Sequence, residues 1–263
     1  MTTAIEAIPG SVLSQLPPGQ MPEPGTPALV QDPHLTVIMP LNQGAGAGVV
    51  NYAPGRGLET GDADHPASCW ERYGLDMARI GAIDNSIYAA RPVVSASARG
   101  ISCAGWVHCW RQAVATGYLG LFAVGASNPS PGSNNNRFAF GVFGRPSDTV
   151  VRLRLDTAQT DGTLEGQLFN DHPDMLDRWA FVGGTIRPGR RRSYVNGRII
   201  AEDAPTMGYQ AVTDQRMLWA TGGIPWRIGS LKVWDREISA DEMMVQYRDE
   251  WAEFREGAAL VGV

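Results

Sequence analysis

The best-punctuated stretch of strand-like pattern in the chain is Asp177–Ile200, DRWAFVGGTIRPGRRRSYVNGRII. Three segments, Trp179–Ile186, Arg191–Val195 and Arg198–Ala201, have strand composition and are separated by two turn signals. Pro188-Gly189 suits a tight reversal, because proline presets φ and glycine accepts the left-handed region. Asn196-Gly197 is the stronger signal, since a two-residue type I′ hairpin needs φ > 0 at both positions. The stretch predicts an antiparallel meander with Trp179, Phe181, Tyr194 and Val195 as its bulk.

The same reading predicts strands at Leu35–Leu41, Ile101–Trp110, Tyr118–Val124, Arg137–Phe143, Val150–Leu155, Gly162–Phe169, Met217–Ala220 and Arg227–Asp235. In Ile101–Trp110, alternation puts Cys103, Gly105, Val107 and Cys109 on one face and Ala104, Trp106, His108 and Trp110 on the other. Both faces are largely apolar, as expected of a strand inside a two-layer sandwich. Residues 51–90 are the least legible, with a short strand expected only within Ala82–Ala90. After Asp235 the period changes. Ser239-Ala240-Asp241-Glu242 is a capping box, Ile238 and Met243 occupy the positions of a hydrophobic staple, and Met243, Tyr247, Trp251 and Phe254 form a helical stripe. Gly257 is the expected stop.

Residues 1–33 carry six prolines, Pro9 aside, without core periodicity, and read as an extended arm with polyproline II character. The arm has no basic start and no apolar h-region, so a signal peptide is not expected. Glycine at 31 and proline at 18 favour turns and short strands over long helices. A formal charge of −5 gives no general attraction to nucleic acid or anionic membrane, and no apolar run reaches the ~20 residues of a membrane span. Three cysteines cannot all pair, and Cys103 and Cys109 on one strand are ~20 Å apart, so a reduced protein is expected. Gly44, Gly46 and Gly48 lack the Gly-Lys-Ser/Thr ending and the following helix of a phosphate loop.

Three pieces resemble the laminin-G-like branch of the concanavalin A-like lectin/glucanase jelly rolls: LTVIMPLNQGAGAGVVNYAPGRG, GISCAGWVHCW, and DRWAFVGGTI with RRRSYVNGRII followed by WRIGSLKVWDREISADEMMVQYRD. The resemblance implies an all-β chain, a two-sheet antiparallel jelly-roll sandwich with an extended N-terminal arm and one short C-terminal helix. The division it implies is an arm at 1–33, a sandwich at 34–236, and a capped helix and tail at 237–263 packed on the sandwich. The ending QYRDEWAEFREGAAL is similar to the termini of laminin-G-like proteins from tailed bacteriophages. Trp251 and Phe254 hold the places of the usual aromatic pair, and Glu250 stands where proline is expected. This likeness implies a virion protein assembled in the host cytoplasm, a capsid decoration, head fibre or tail-associated protein. Its arm would bind capsid or tail proteins, and the jelly roll, alone or as a homo-oligomer, would contact host polysaccharide. A free carbohydrate-binding lectin is the alternative, and a glycoside hydrolase ranks behind both.

No Glu-x-Asp-x-x-Glu segment supplies the paired carboxylates of the hydrolase members. Asp235, Glu237, Asp241 and Glu242 cluster, but the last two fall within the helix cap. The four histidines, His34, His65, His108 and His172, have no nearby serine elbow. His65 with Cys69 and His108 with Cys109 lack paired zinc spacing. No catalytic residue and no cofactor is therefore expected, with calcium as the one open question. Asp171, Asp174 and Asp177 are oxygen donors of the right kind, and solvated loops explain them equally well. Arg187, Arg190, Arg191, Arg192 and Arg198 concentrate charge beside the hairpin. They read as a solvated edge that discourages aggregation. Alternatively, they contact an acidic polysaccharide or a neighbour's carboxylates through bidentate guanidinium bonds.

Overall fold

The structure is a computed structural model that describes residues 32–39, 41, 49–53, 58–59, 70–71, 74–76, 87–88, 93–95, 98–109, 117–125, 136–144, 151–158, 164–169, 175, 177–205, 216–219 and 226–260. The elements are β1 (Leu35–Met39), β2 (Val49–Val50), β3 (Leu58–Glu59), β4 (Trp70–Glu71), β5 (Gly74–Asp76), β6 (Ile87–Tyr88), β7 (Ile101–Cys109) and β8 (Gly117–Gly125). They continue as β9 (Asn136–Gly144), β10 (Val151–Ala158), β11 (Leu164–Phe169), β12 (Trp179–Arg187), β13 (Arg190–Val195), β14 (Arg198–Asp203), β15 (Arg216–Trp219), β16 (Trp226–Trp234) and α1 (Ala240–Leu260). The proline-rich segment 1–31 and the Gly44–Gly48 loop lie outside the described residues, as do Asp171, Asp174, His65, Cys69, His172 and Trp110.

The strands make an all-β sandwich. One sheet runs β14-β13-β12-β7-β16-β5-β4, with β1 sharing the β16 edge, and the other runs β11-β10-β9-β8-β15-β6. The meander forms as its turns dictate: Arg187 pairs with Arg190 across Pro188-Gly189, and Val195 with Arg198 across Asn196-Gly197. Gly189, Asn196 and Gly197 all take positive φ, at 73°, 50° and 75°. Asn196 also exchanges two bonds with β12: its N–H donates to Phe181 O at 2.7 Å, and its Oδ1 accepts from Phe181 N at 3.1 Å. In the poorly patterned region, buried Asn51 pins the chain to β1. It accepts from Ile38 N and Ala53 N and donates to Thr36 O.

Between the sheets, Ile101, Val107, Val182, Ile186 and Leu231 face Phe122, Phe138, Phe140, Leu153 and Leu155, all fully buried. Each such side chain contributes about 1.5–3 kcal/mol. A Cβ at Gly184 would lie 3.1 Å from the Phe140 ring and 3.3 Å from Leu155, so this glycine is where the sheets approach most closely among the described glycines of β12.

The alternation expected for β7 holds, and its second apolar face has its own cover. Helix α1 lies on the outside of the eight-stranded sheet, over Ala104, Trp106, Phe181 and Tyr194. Its start is the capping box: Glu242 N donates to Ser239 Oγ at 3.1 Å, and Ser239 N to Glu242 Oε2 at 2.6 Å. Ile238 and Met243 are buried together beside it. Gly257 does not end the helix, which runs on to Leu260. Trp106 is the hub: the Phe254 ring stacks on it at 4.5 Å, Phe181 meets it edge-on at 5.4 Å, and Tyr247 lies at 5.8 Å. A Cβ on Gly229 would stand 2.4 Å from Phe254, so a bare backbone is what lets that ring down.

Glu250, where proline was expected, is buried in the middle of this helix. Proline there would remove a helix hydrogen bond and clash with the preceding turn. The carboxylate accepts from Trp106 Nε1 at 2.8 Å and Ser230 Oγ at 2.7 Å, and it pairs with Lys232 Nζ at 2.9 Å. Lys232, the only lysine of the chain, donates also to Gln246 Oε1 at 2.7 Å. On the same sheet face, His108 is buried edge-on to Trp179. Burial first, and the Arg227 charge second, lower its pKa to about 4, with Asp177 opposing.

Replacing Glu250 by alanine leaves a buried ammonium without its counter-charge. The expected loss is about 3–5 kcal/mol, read from the urea midpoint. Glu250→Gln should lose less, because its single amide oxygen still accepts from Trp106 while the Ser230 hydroxyl can turn to accept from the amide N–H. A pH dependence follows from His108. Unfolded, it takes up a proton near the usual 6.5, and folded only near 4, so the unfolded chain binds more protons between those values. Stability is full above pH ~6.5 and falls by roughly 3 kcal/mol as pH drops to about 4. Urea unfolding at pH 7 and pH 4.5 should show this slope, and His108→Gln should flatten it.

Candidate functional site

Four of the five arginines singled out by the sequence close on carboxylates of their own chain. Arg190 grips Glu237 with two bonds of 2.8 Å, and Arg187 reaches the same carboxylate at 2.8 Å. Arg192 donates to Glu202 at 2.6 Å, which lowers the Glu202 pKa and raises that of Arg192. Arg191 departs from the expected solvated edge, because it is 1 % exposed and turned into the sandwich. It holds Asp203 with two bonds, at 3.0 and 2.7 Å, and donates across the core to Leu155 O at 3.3 Å. A fully buried guanidinium joins the sheets here and offers nothing to a partner. Arg198 is exposed at the start of β14 and lines a separate cleft against α1.

Of the carboxylates that claim these arginines, Glu237 stands out in the sequence only as one of an acidic cluster, and Glu202 and Asp203 do not stand out at all. Their signal was register: Arg191 pairs with Asp203 and Arg192 with Glu202 across β13 and β14, opposite charges directly facing each other. Glu237 could not be found that way, since it comes from a segment 47 residues beyond Arg190.

At one rim, His34, Arg99, Arg187, Asp235, Arg236 and Glu237 line a cleft of about 390 Å³. His34 Nδ1 lies 2.6 Å from Asp235, and Arg236 bridges Asp32 and Glu242, at 2.7 Å each. The bond from Arg236 comes first among the causes that depress Glu242 to about 2. This lattice fastens the start of β1 to the start of α1. Asp177 is exposed with a left-handed φ of 57°. Among the described residues, no group of three His, Cys, Asp or Glu side chains is gathered as a metal would need.

The outside of the six-stranded sheet has a different character. Phe138, Phe140, Val142, Leu153 and Leu155 fill the inner rows, so the rows between them belong to the other side. In backbone register, one such row aligns Gly120, Gly141 and Arg154, and the next Ala123, Ala139, Asp156 and Gly166. Gly120, Gly141 and Gly166 thus leave backbone without side chains beside Arg154 and Asp156. Arg154 Nε holds Asp156 at 2.7–2.8 Å, and Asp156 sits so close over Gly166 that a Cβ there would meet its Oδ1 at 2.7 Å. Burial pushes the Asp156 carboxyl up, against the pull of Arg154, whose own side chain is 38 % exposed. The Arg154 guanidinium is thereby held over Gly166, where a Cβ would lie 3.9 Å from its Nε and Nη2.

No protein-family model and no curated protein sequence matches the chain. Solved structures do. The receptor-binding domain of botulinum neurotoxin C/D mosaic serotype superposes with a TM-score of 0.60 at 11% identity, over 82% of this chain and 51% of that one. The receptor-binding domain of botulinum neurotoxin D gives 0.56 at 10%, over 82% and 53%. A serotype D ligand-binding domain in complex with N-acetylneuraminic acid gives 0.56 at 11%, over 82% and 50%. The chain spans about half the length of these domains, and what it shares with them is the antiparallel β-sandwich fold.

Proposed function

We propose that this chain is a non-enzymatic binding module that takes an acidic glycan on the outer face of its six-stranded sheet. The observation that carries the reading is the Arg154–Asp156 pair beside rows of glycine and alanine. A sandwich has two outer faces, and here α1 fills one with Trp106, Phe181 and Phe254. On the remaining face, the glycine backbone beside Arg154 lets a flat sugar ring approach the sheet, and the positioned guanidinium matches a carboxylate by two parallel bonds. The like-folded neurotoxin domains are named for receptor binding, one of them with N-acetylneuraminic acid, which makes carboxylated sugars the class to test first. The particle-borne setting rests on the likeness of QYRDEWAEFREGAAL to phage protein termini and is proposed on that ground alone.

Screening the full chain on a glycan array, with and without calcium, should select sialylated or uronic-acid glycans and show no calcium dependence. Arg154→Met should weaken binding tenfold or more, the loss of a charged hydrogen bond, and Asp156→Asn should weaken it in the same direction. Arg190→Ser with Arg192→Ser should leave it unchanged. Equal affinity in Arg154→Met, or retention of no glycan at all, would sink the proposal. A loss confined to the Arg190/Arg192 variant would move the site to the hairpin. For the particle setting, a chain lacking residues 1–31 should no longer co-sediment with particles from the producing cells. Undiminished co-sedimentation would rule out attachment through that segment.

A further inference from the structure

The arginine–carboxylate ladder guards only half of the outermost strand of the eight-stranded sheet. Among the described residues, β14 pairs with β13 alone, so one row of its N–H and C=O groups faces outward. At its far end, Glu202 and Asp203 are held by Arg192 and Arg191. At the near end, Arg198 and Ile199 are exposed, and among the described residues Ile199, at 41 %, is one of three large apolar side chains so open. Ile199 pairs with Tyr194, which puts it on the sheet face that α1 covers.

The strand runs beside the helix but leaves a gap there. Between them lies a cleft of about 500 Å³, with Arg198, Ile199, Met244, Tyr247 and Arg248 around it. Its lining holds two guanidinium groups and no carboxylate. Met244, Tyr247 and Arg248 share one stripe of α1, and Trp251, one turn further, is 39 % exposed with its ring 5.5 Å from Tyr247. The cleft is held open from its base. The hairpin tip rests on the helix where a Cβ on Gly197 would lie 2.9 Å from the Met244 sulfur, and Asn196 ties that tip to β12. Three features therefore coincide: an unpaired strand edge, an apolar floor, and cations without a counter-charge in the lining.

We infer that this edge takes up an extended peptide segment as an added strand, one with an apolar side chain next to a carboxylate. Backbone hydrogen bonds to β14 supply the affinity. The apolar side chain settles over Ile199 and Met244, and the neighbouring carboxylate is met by Arg198 or Arg248. This surface is separate from the proposed glycan face, which belongs to the other sheet.

The test is an array of immobilised octapeptides of varied composition, probed with the full chain, and then fluorescence anisotropy on the tightest peptide. Adjacent apolar and acidic residues should be enriched. Arg198→Glu with Arg248→Glu should weaken binding at least tenfold, Ile199→Lys should do likewise, and Arg154→Met should have no effect. N-methylating alternate amides of the bound peptide should abolish binding in one register and spare it in the other, which charge attraction alone would not do. Enrichment of basic peptides, no enrichment, or equal affinity in the Arg198/Arg248 variant would overturn the inference. So would a concentration-dependent dimer, seen by sedimentation and dissolved by Ile199→Lys, because the edge would then be taken by a second copy.

Discussion

A charged group under a helix is affordable only when every one of its bonds is made, and Glu250 is such a group. Its carboxylate gathers a tryptophan N–H, a serine hydroxyl and a lysine ammonium from two neighbouring strands. Removing any one partner would leave polar atoms buried without compensation. The arrangement therefore fixes which turn of α1 lies over which row of the sheet. Hydrophobic packing alone is tolerant of sliding, whereas a buried acceptor with three converging donors is not. Trp106 joins the two kinds of interaction, with its ring under Phe254 and its N–H on Glu250.

From that registry the division of labour between the two sheets follows. The face beneath α1 is spent on aromatic packing, and its free strand edge is left beside the helix with a gap between them. The arginines of the hairpin serve the fold first: Arg191 ties the sheets together through Leu155 O, while Arg187 and Arg190 fasten the hairpin to Glu237 just before the helix. The surfaces proposed for recognition are the other outer face and the half-guarded β14 edge.

Local chemistry was legible in the sequence. Asn196-Gly197, Pro188-Gly189 and the Ser239–Glu242 box each act within four residues, and all three formed as read. The sandwich was legible because alternation survives in β7, β10 and β12, where each face has a partner. Long-range pairings were not legible. Arg191 reads as a surface cation until β10 is known to pass behind it, and Asp156 looks like any strand carboxylate until Gly166 is placed opposite. Glu250 looked like a departure from pattern because its three donors, Trp106, Ser230 and Lys232, come from strands that are 18 to 144 residues away. Gly257 misled in the opposite sense: glycine ends a helix by taking the left-handed conformation, and Gly257 instead stays within α1, which runs to Leu260.

The position of α1 behind every strand in the chain has a consequence for biogenesis. The neighbours β7 and β12, and β7 and β16, are far apart in sequence, so the eight-stranded sheet cannot close until β16 has been synthesised. Its cover is made later still. Until that helix emerges from the ribosome, Trp106, Phe181 and Tyr194 form a sticky aromatic surface on a newly closed sheet, the kind of exposure that recruits chaperones or other nascent chains. The capping box, ready to nucleate the helix as soon as Glu242 is made, shortens that interval.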